Sequence, residues 1–248
     1  MDNLKRLRMV VHGVAKIGKT SWAETAPGPR LFLDAEGGTE FLDKPTVMWD
    51  PMAAPPEVEG DVNVVVWAKD WGTVQATLAW LYAGNHPFNS LILDSLTEIQ
   101  KKCKDAVAHD GNLDQQLWGQ LLTKMELEMR RVRDLTKHPV KPLWAVVVLA
   151  HSAEKNGALR PDVQGALARS LAGFFDVIGH MRPGMSPTGQ VARELVIDAV
   201  PGIEAGDRTK VLRRTFGDSI PLVLDDSTGA IHYSIGELIE LINGGFNG

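Results

Sequence analysis

Residues 13–20 read GVAKIGKT, with Gly13 and Gly18 five positions apart and Lys19 and Thr20 directly after. Glycines at these points let the backbone curl so that successive N–H groups converge on one anion. A neighbouring lysine adds a point cation, and a threonine hydroxyl is an oxygen ligand of the kind magnesium takes. The string fits G-x-x-x-x-G-K-[ST], the phosphate-binding loop, which has meaning only between a strand and a helix. Here the short apolar run Arg8 to His12 precedes it and a helix-compatible stretch follows through Ala23. The spacing therefore predicts that Gly13, Val14, Ala15, Lys16, Ile17, Gly18, Lys19, Thr20 and Ser21 surround the phosphates of ATP. Lys19 would reach the β and γ oxygens, and Thr20 would bind Mg²⁺. The alternative is a glycine-rich turn with a solvated lysine, which the flanking strand and helix disfavour.

Such a site needs an acid at the end of a nearby buried strand to hold the metal's water shell. SLILDS supplies Asp94, although a carboxylate in that position can equally cap the next helix. Hydrolysis also needs a group that orients or deprotonates water. Asp94 is followed by Ser95 and not by a second acid, whereas LFLDAEGG places Asp34 and Glu36 at the end of the strand after the loop helix. Glu36 is the candidate base, with Asp34 as its alternative and solvated loop carboxylates as the bland reading. The run Leu143 to Ala150 ends at His151-Ser152, making His151 a candidate sensor of the terminal phosphate or a structural strand-end histidine.

The elements that must position these groups are legible as short apolar runs alternating with helical periodicity, the pattern of a mainly parallel sheet flanked by helices. Strands are expected at Arg8 to His12, Arg30 to Asp34, Val62 to Trp67, Ser90 to Asp94 and Leu143 to Ala150. Helices are expected at Thr73 to Ala83, Leu96 to Ala108 and Leu117 to Leu135. Pro45 to Pro56 is proline-rich and reads as a surface insertion with one short strand. Beyond Asp176, Val177 to Arg182 and Ala192 to Val200 resemble strands joined by the turn-rich PGMSPTGQ, so antiparallel strands should extend the sheet toward the C-terminus. Ser234 to Leu241 reads as a serine-capped amphipathic helix.

With 248 residues, 44% hydrophobic and 23% charged, the chain can bury one substantial core, and a single domain over 1–248 is expected. A net charge of -5 provides no broad positive field for a polyanion, so nucleic-acid contact would need a local basic cluster. The single cysteine, Cys103, excludes an internal disulfide framework and a cysteine-rich zinc site, in keeping with a reducing cytoplasm. No apolar run is long enough for a signal-peptide core or a membrane helix, and no membrane partner is expected.

The order of these parts resembles the RecA-type recombinase core: phosphate loop, strand ending D-A-E, apolar strand ending D-S, strand ending in a polar sensor. It is most similar to compact phage-encoded RecA-like ATPases related to single-strand-annealing proteins, which share the LD-x-E-G-G run and a late GDR motif, here Gly206-Asp207-Arg208. The likeness runs from about Arg8 to about Leu241. It implies a RecA-like P-loop NTPase fold and an ATPase that uses ATP and Mg²⁺, binds single-stranded DNA and assists recombination or annealing. Further implied partners are other copies of the chain, with ATP sites at subunit interfaces, and a single-strand-binding protein; the implied location is the host cytoplasm.

The family's disordered DNA-facing loops map to His109–Gln116 and Glu154–Gly165, where Lys155, Asn156 and Arg160 could touch phosphates or simply form a polar surface loop. Arg208 and Lys210 resemble positions that reach into a neighbour's ATP site, with a surface salt bridge as the alternative. About seven residues precede the first strand, so filament formation through an N-terminal linking segment is not expected. A rival class is a nucleotide-dependent switch for a protein partner, which the acidic balance favours. A small-molecule kinase is weaker, for want of an arginine-rich lid.

Overall fold

In the computed structural model, residues 4–108, 113–185, 191–222 and 233–244 are described. The elements in chain order are β1 (Leu7–Gly13), α1 (Lys19–Ala23), β2 (Arg30–Asp34), β3 (Thr46–Met48), β4 (Asn63–Trp67), α2 (Trp71–Ala83), β5 (Ser90–Asp94), α3 (Leu96–Val107) and α4 (Gln115–Asp134). There follow β6 (Ala145–Lys155), β7 (Ala158–Pro161), α5 (Leu167–Phe174), β8 (Val177–Met185), β9 (Val191–Val196), β10 (Gly206–Asp207), α6 (Val211–Phe216), β11 (Ser219–Leu222) and α7 (Ile235–Ile242).

The sheet order is β11-β9-β8-β1-β6-β5-β2-β4-β3, with β7 beside β6 and β10 beside β8. From β8 across to β3 every neighbouring pair is parallel, while β9 and β11 extend the sheet antiparallel. The result is the expected mainly parallel sheet flanked by helices, with antiparallel strands added toward the C-terminus. Strands buried on both faces must be apolar throughout, which is why VVVLA in β6 and SLILD in β5 show no alternation.

The two faces have separate cores. Leu31, Leu33, Leu91, Leu93, Val146 and Val148 pack with α2, α3, α4 and α5, whereas Phe32, Ile92, Val147 and Leu149 pack with Trp22 of α1, Leu212 of α6 and Ile235 and Leu238 of α7. Local chemistry sets the helix ends: Asp70, Ser95 and Asp114 accept backbone N–H bonds at the starts of α2, α3 and α4, and Ser234 and Glu237 form a reciprocal capping box on α7. Among the described residues, no helix is long and apolar enough to cross a membrane.

One expected segment differs. The predicted disordered loop Glu154–Gly165 is in large part an antiparallel hairpin: β6 continues past His151 to Lys155, turns at Asn156-Gly157 and returns as β7. Asn156 (φ 55°) and Gly157 (φ 75°) both adopt the left-handed conformation that a tight two-residue hairpin turn demands, and Asn-Gly meets it at little cost. Of the other predicted loop, His109–Gln116, residues 109–112 lie outside the described set, and α4 already begins at Gln115.

Candidate active site

The site is built at the carboxyl ends of four neighbouring strands. β6 separates β1 from β5, so the loop after β1, His151 of β6, Asp94 at the end of β5 and Asp34-Ala35-Glu36 after β2 all emerge on one edge. The register fixes their heights, with Gly13 opposite His151 and Asp34 opposite Asp94.

In the loop, Lys16 (φ 63°) and Gly18 (φ 98°) are left-handed, a curl that turns backbone N–H groups toward a common centre. Lys19 donates from Nζ to the carbonyl oxygens of Gly13 (3.0 Å) and Val14 (2.9 Å), spanning the loop from within. It is buried, and burial lowers its pKa, opposed by the nearby Asp94 and Glu36 carboxylates.

Thr20 donates from Oγ1 to Asp94 Oδ2 at 2.6 Å. The Asp94 carboxyl is buried and its pKa rises to about 6; burial is the main cause, the Thr20 bond opposes it, and the Asp34 and Glu36 charges add to it. A Cβ placed on Gly38 would stand 3.3 Å from Thr20 Oγ1 and 3.6 Å from Asp94 Oδ2, so glycine keeps the space beside this pair clear. A hydroxyl and a carboxylate facing an open space suit magnesium, which takes few protein oxygens and completes its shell with water and phosphate. Among the described residues no group of three or more His, Cys, Asp or Glu could hold a metal unaided. Any ion here would be shared with a ligand.

Glu36 stands between two elements. Ser95 donates from its hydroxyl to Glu36 Oε1, and His151 Nε2 lies 2.8 Å from the same oxygen. The carboxylate and imidazole remain partly exposed, at 28% and 29%, so water can reach them. Asp34 has a different task. Its buried carboxylate accepts from the backbone N–H groups of Glu36, Gly37 and Thr39 and from the Thr39 hydroxyl, which holds the D-A-E-G-G turn in shape and leaves it badly placed to take a proton from water.

A second polar cluster lies beneath the loop. His12 Nδ1 is 2.8 Å from Ser152 Oγ and its Nε2 is 2.9 Å from the Glu204 carbonyl oxygen, while His180 Nδ1 is 3.4 Å from the same Ser152 Oγ. Burial drives the His12 pKa down to about 4 and lowers that of His180. Ser95, Thr39, His12, Ser152 and His180 were not among the expected site residues. The D-A-E-G-G string hints at the Asp34 turn, but the others join the site only through strand adjacency.

Arg208 and Lys210 are not brought to the loop of their own chain. Arg208 N–H bonds the Asp176 carbonyl, and Asp176 N–H bonds that of Arg8, which places both basic residues near the start of β1, about 17 Å of strand from Gly13. The Arg208 guanidinium donates to the carbonyls of Ala172 and Gly173 at the end of α5, and Lys210 stands just before α6 with no capping bond from its side chain. At the hairpin, Lys155 Nζ lies 3.3 Å from the Val163 carbonyl and 3.8 Å from Asp162, Asn156 forms the turn, and Arg160 pairs with Glu204 at 3.4 Å.

A family model described as an AAA domain matches residues 5–209. Among solved structures, the crystal structure of flagellar accessory protein FlaH from Methanocaldococcus jannaschii is similar at 10% identity, covering 91% of this chain and 89% of that chain with a TM-score of 0.44. That likeness is too distant to bear on activity. No curated protein matches the chain.

Proposed function

Because the chain belongs to the AAA domain family and is an ATPase-type P-loop domain, we propose that it hydrolyses ATP with magnesium and couples this to single-stranded DNA in recombination or annealing. The observation that carries the hydrolytic part is the partly exposed Glu36 carboxylate, held between Ser95 and His151 beside the Thr20–Asp94 pair. Lys19 and the loop N–H groups would neutralise the phosphates, and Thr20 and Asp94 would hold magnesium, which would offset charge on the phosphate oxygens. Glu36 orients water for in-line attack and accepts its proton. His151, on the same carboxylate oxygen, holds Glu36 in place.

Support for coupling to DNA comes from continuity. His151 and Lys155 lie on one uninterrupted strand, so a strand of DNA bound at the β6–β7 hairpin would act on the backbone that positions Glu36. Contact there is electrostatic and stacks no bases among the named residues, so it falls with salt and ignores sequence. Arg208 and Lys210, away from their own loop, complete the ATP site of a neighbouring copy in this reading. The rival, a switch that acts on a protein partner, draws support from the ion pairing of Lys155 and Arg160 with Asp162 and Glu204, which leaves the hairpin little net charge.

The test is steady-state ATP hydrolysis at low salt with and without single-stranded DNA, against Lys19→Ala. Glu36→Gln should bind ATP as the parent does and lose hydrolysis by about 10²-fold or more, the range typical of removing a general base. Normal turnover by that variant would remove Glu36 from its role. Lys19-dependent hydrolysis indifferent to DNA would shift the function to the protein-partner switch.

A further inference from the structure

Arg193 belongs to no motif and stands more than 170 positions from the phosphate loop in sequence, yet its side chain lies against it. A Cβ placed on Gly18 would stand 2.8 Å from the guanidinium carbon of Arg193 and 3.0 Å from both Nε and one terminal nitrogen. The guanidinium therefore rests on the backbone of the residue just before Lys19.

The backbone that carries it is held on both sides: Arg193 faces Pro183 of β8 and Leu222 of β11. Leu195, two residues on and therefore on the same face, is buried in the core that contains Trp22 and Ala23 of α1. That alternation aims Arg193 at the side of the sheet where the loop helix lies. Glu194 points to the other face, where it is engaged by Arg182 and by the Ser219 hydroxyl at 3.0 Å. The adjacent acid is thus spent elsewhere and does not neutralise Arg193.

A planar guanidinium lying beside a phosphate cradle offers paired donors that match two phosphate oxygens, which a lysine cannot do. We propose that Arg193 is a ligand of the nucleotide's phosphate chain, supplied by the same chain that carries the loop, and that it ties the β8–β9 pair to the bound nucleotide. This rests on the ATP-binding reading above.

The experiment measures ATP binding by titration calorimetry at several KCl concentrations for the parent, Lys19→Ala, Arg193→Ala and Arg193→Gln, with melting curves of each nucleotide-free protein. Loss of a charge-assisted contact should weaken ATP by about tenfold or more in both Arg193 variants. It should also flatten the salt dependence of binding, a change that a merely structural role would not produce. Arg193→Gln keeps the length of the side chain and reads the same way should the alanine variant melt early. Parent-like affinity and salt dependence in the Arg193 variants, with ATP lost in Lys19→Ala, would overturn the assignment and leave the ATPase intact. Absence of ATP binding by the parent, or its survival in Lys19→Ala, would overturn both.

Discussion

Three carboxylates of one site look interchangeable by residue type, yet Asp34, Glu36 and Asp94 have separate environments that assign them separate work. Asp34 is saturated by three backbone N–H groups and a hydroxyl, Glu36 is partly exposed, and Asp94 is buried. Burying Asp94 has an energetic consequence. A carboxyl whose folded pKa is about 6 and whose ordinary value is 3.8 favours the protonated native state, so its contribution to stability declines as pH rises from about 4 to 6. Asp94→Asn should therefore raise the stability of the nucleotide-free protein at pH 7 by up to about 3 kcal/mol, with the gain vanishing near pH 4. Urea titrations of both proteins at the two pH values check this, and a variant less stable at pH 7 would contradict it. Lys19, Thr20, Glu36 and Asp94 lie together at one sheet edge, and their grouping was legible because each sits in a short, spaced string. The places of Ser95 and Arg193 were not, because they depend on which strands lie side by side.

Among elements, the buried parallel strands were the most legible, since apolar runs such as SLILD have one stable place, the middle of a covered sheet. The β6–β7 hairpin was missed for the converse reason. The segments that pair, SAEK and ALRP, mix polar and apolar residues with no alternation on either side of Asn156-Gly157. The antiparallel β8–β9 pair shows how tightly the added strands are fitted. A Cβ on Gly179 would come within 2.6 Å of Leu195 Cδ1, so Gly179→Ala must displace a fully buried side chain. The expected cost is about 1–3 kcal/mol, as for other overpacked cores. Chemical denaturation measures it; if Arg193 binds as inferred, ATP affinity should fall with it, because Leu195 and Arg193 share one face of one strand. An unchanged denaturation midpoint would show that the packing here is looser than the geometry requires.

Across the whole molecule, the buried histidines beneath the loop oppose Asp94 as the solution is acidified. His12, fully buried and hydrogen-bonded through both ring nitrogens, has its pKa lowered to about 4 from 6.5. The unfolded chain then binds the extra proton more readily, so the stability His12 lends is complete above pH 6.5 and is lost as pH falls through 4. Over that window its slope is about 1.4 kcal/mol per pH unit. His12→Gln should flatten the acid limb of stability by about that amount, read from urea midpoints between pH 7 and 4; an unchanged slope would place the acid sensitivity elsewhere.

The strand order also governs the sequence of events during synthesis. β1, which carries the phosphate loop, is made first, yet it is seated between β6 and β8, whose residues arrive only at 145–155 and 177–185. The block β2, β3, β4 and β5 can pair within itself while translation continues, since all four strands are made by residue 94 and only the outer side of β5 waits for β6. β1 must therefore wait without either sheet neighbour for some 130 further residues, about 7 to 26 seconds at ordinary elongation rates. The nucleotide site is begun first and closed late, and a ribosome stalled before β6 would display a chain with its phosphate loop already made and nowhere to place it.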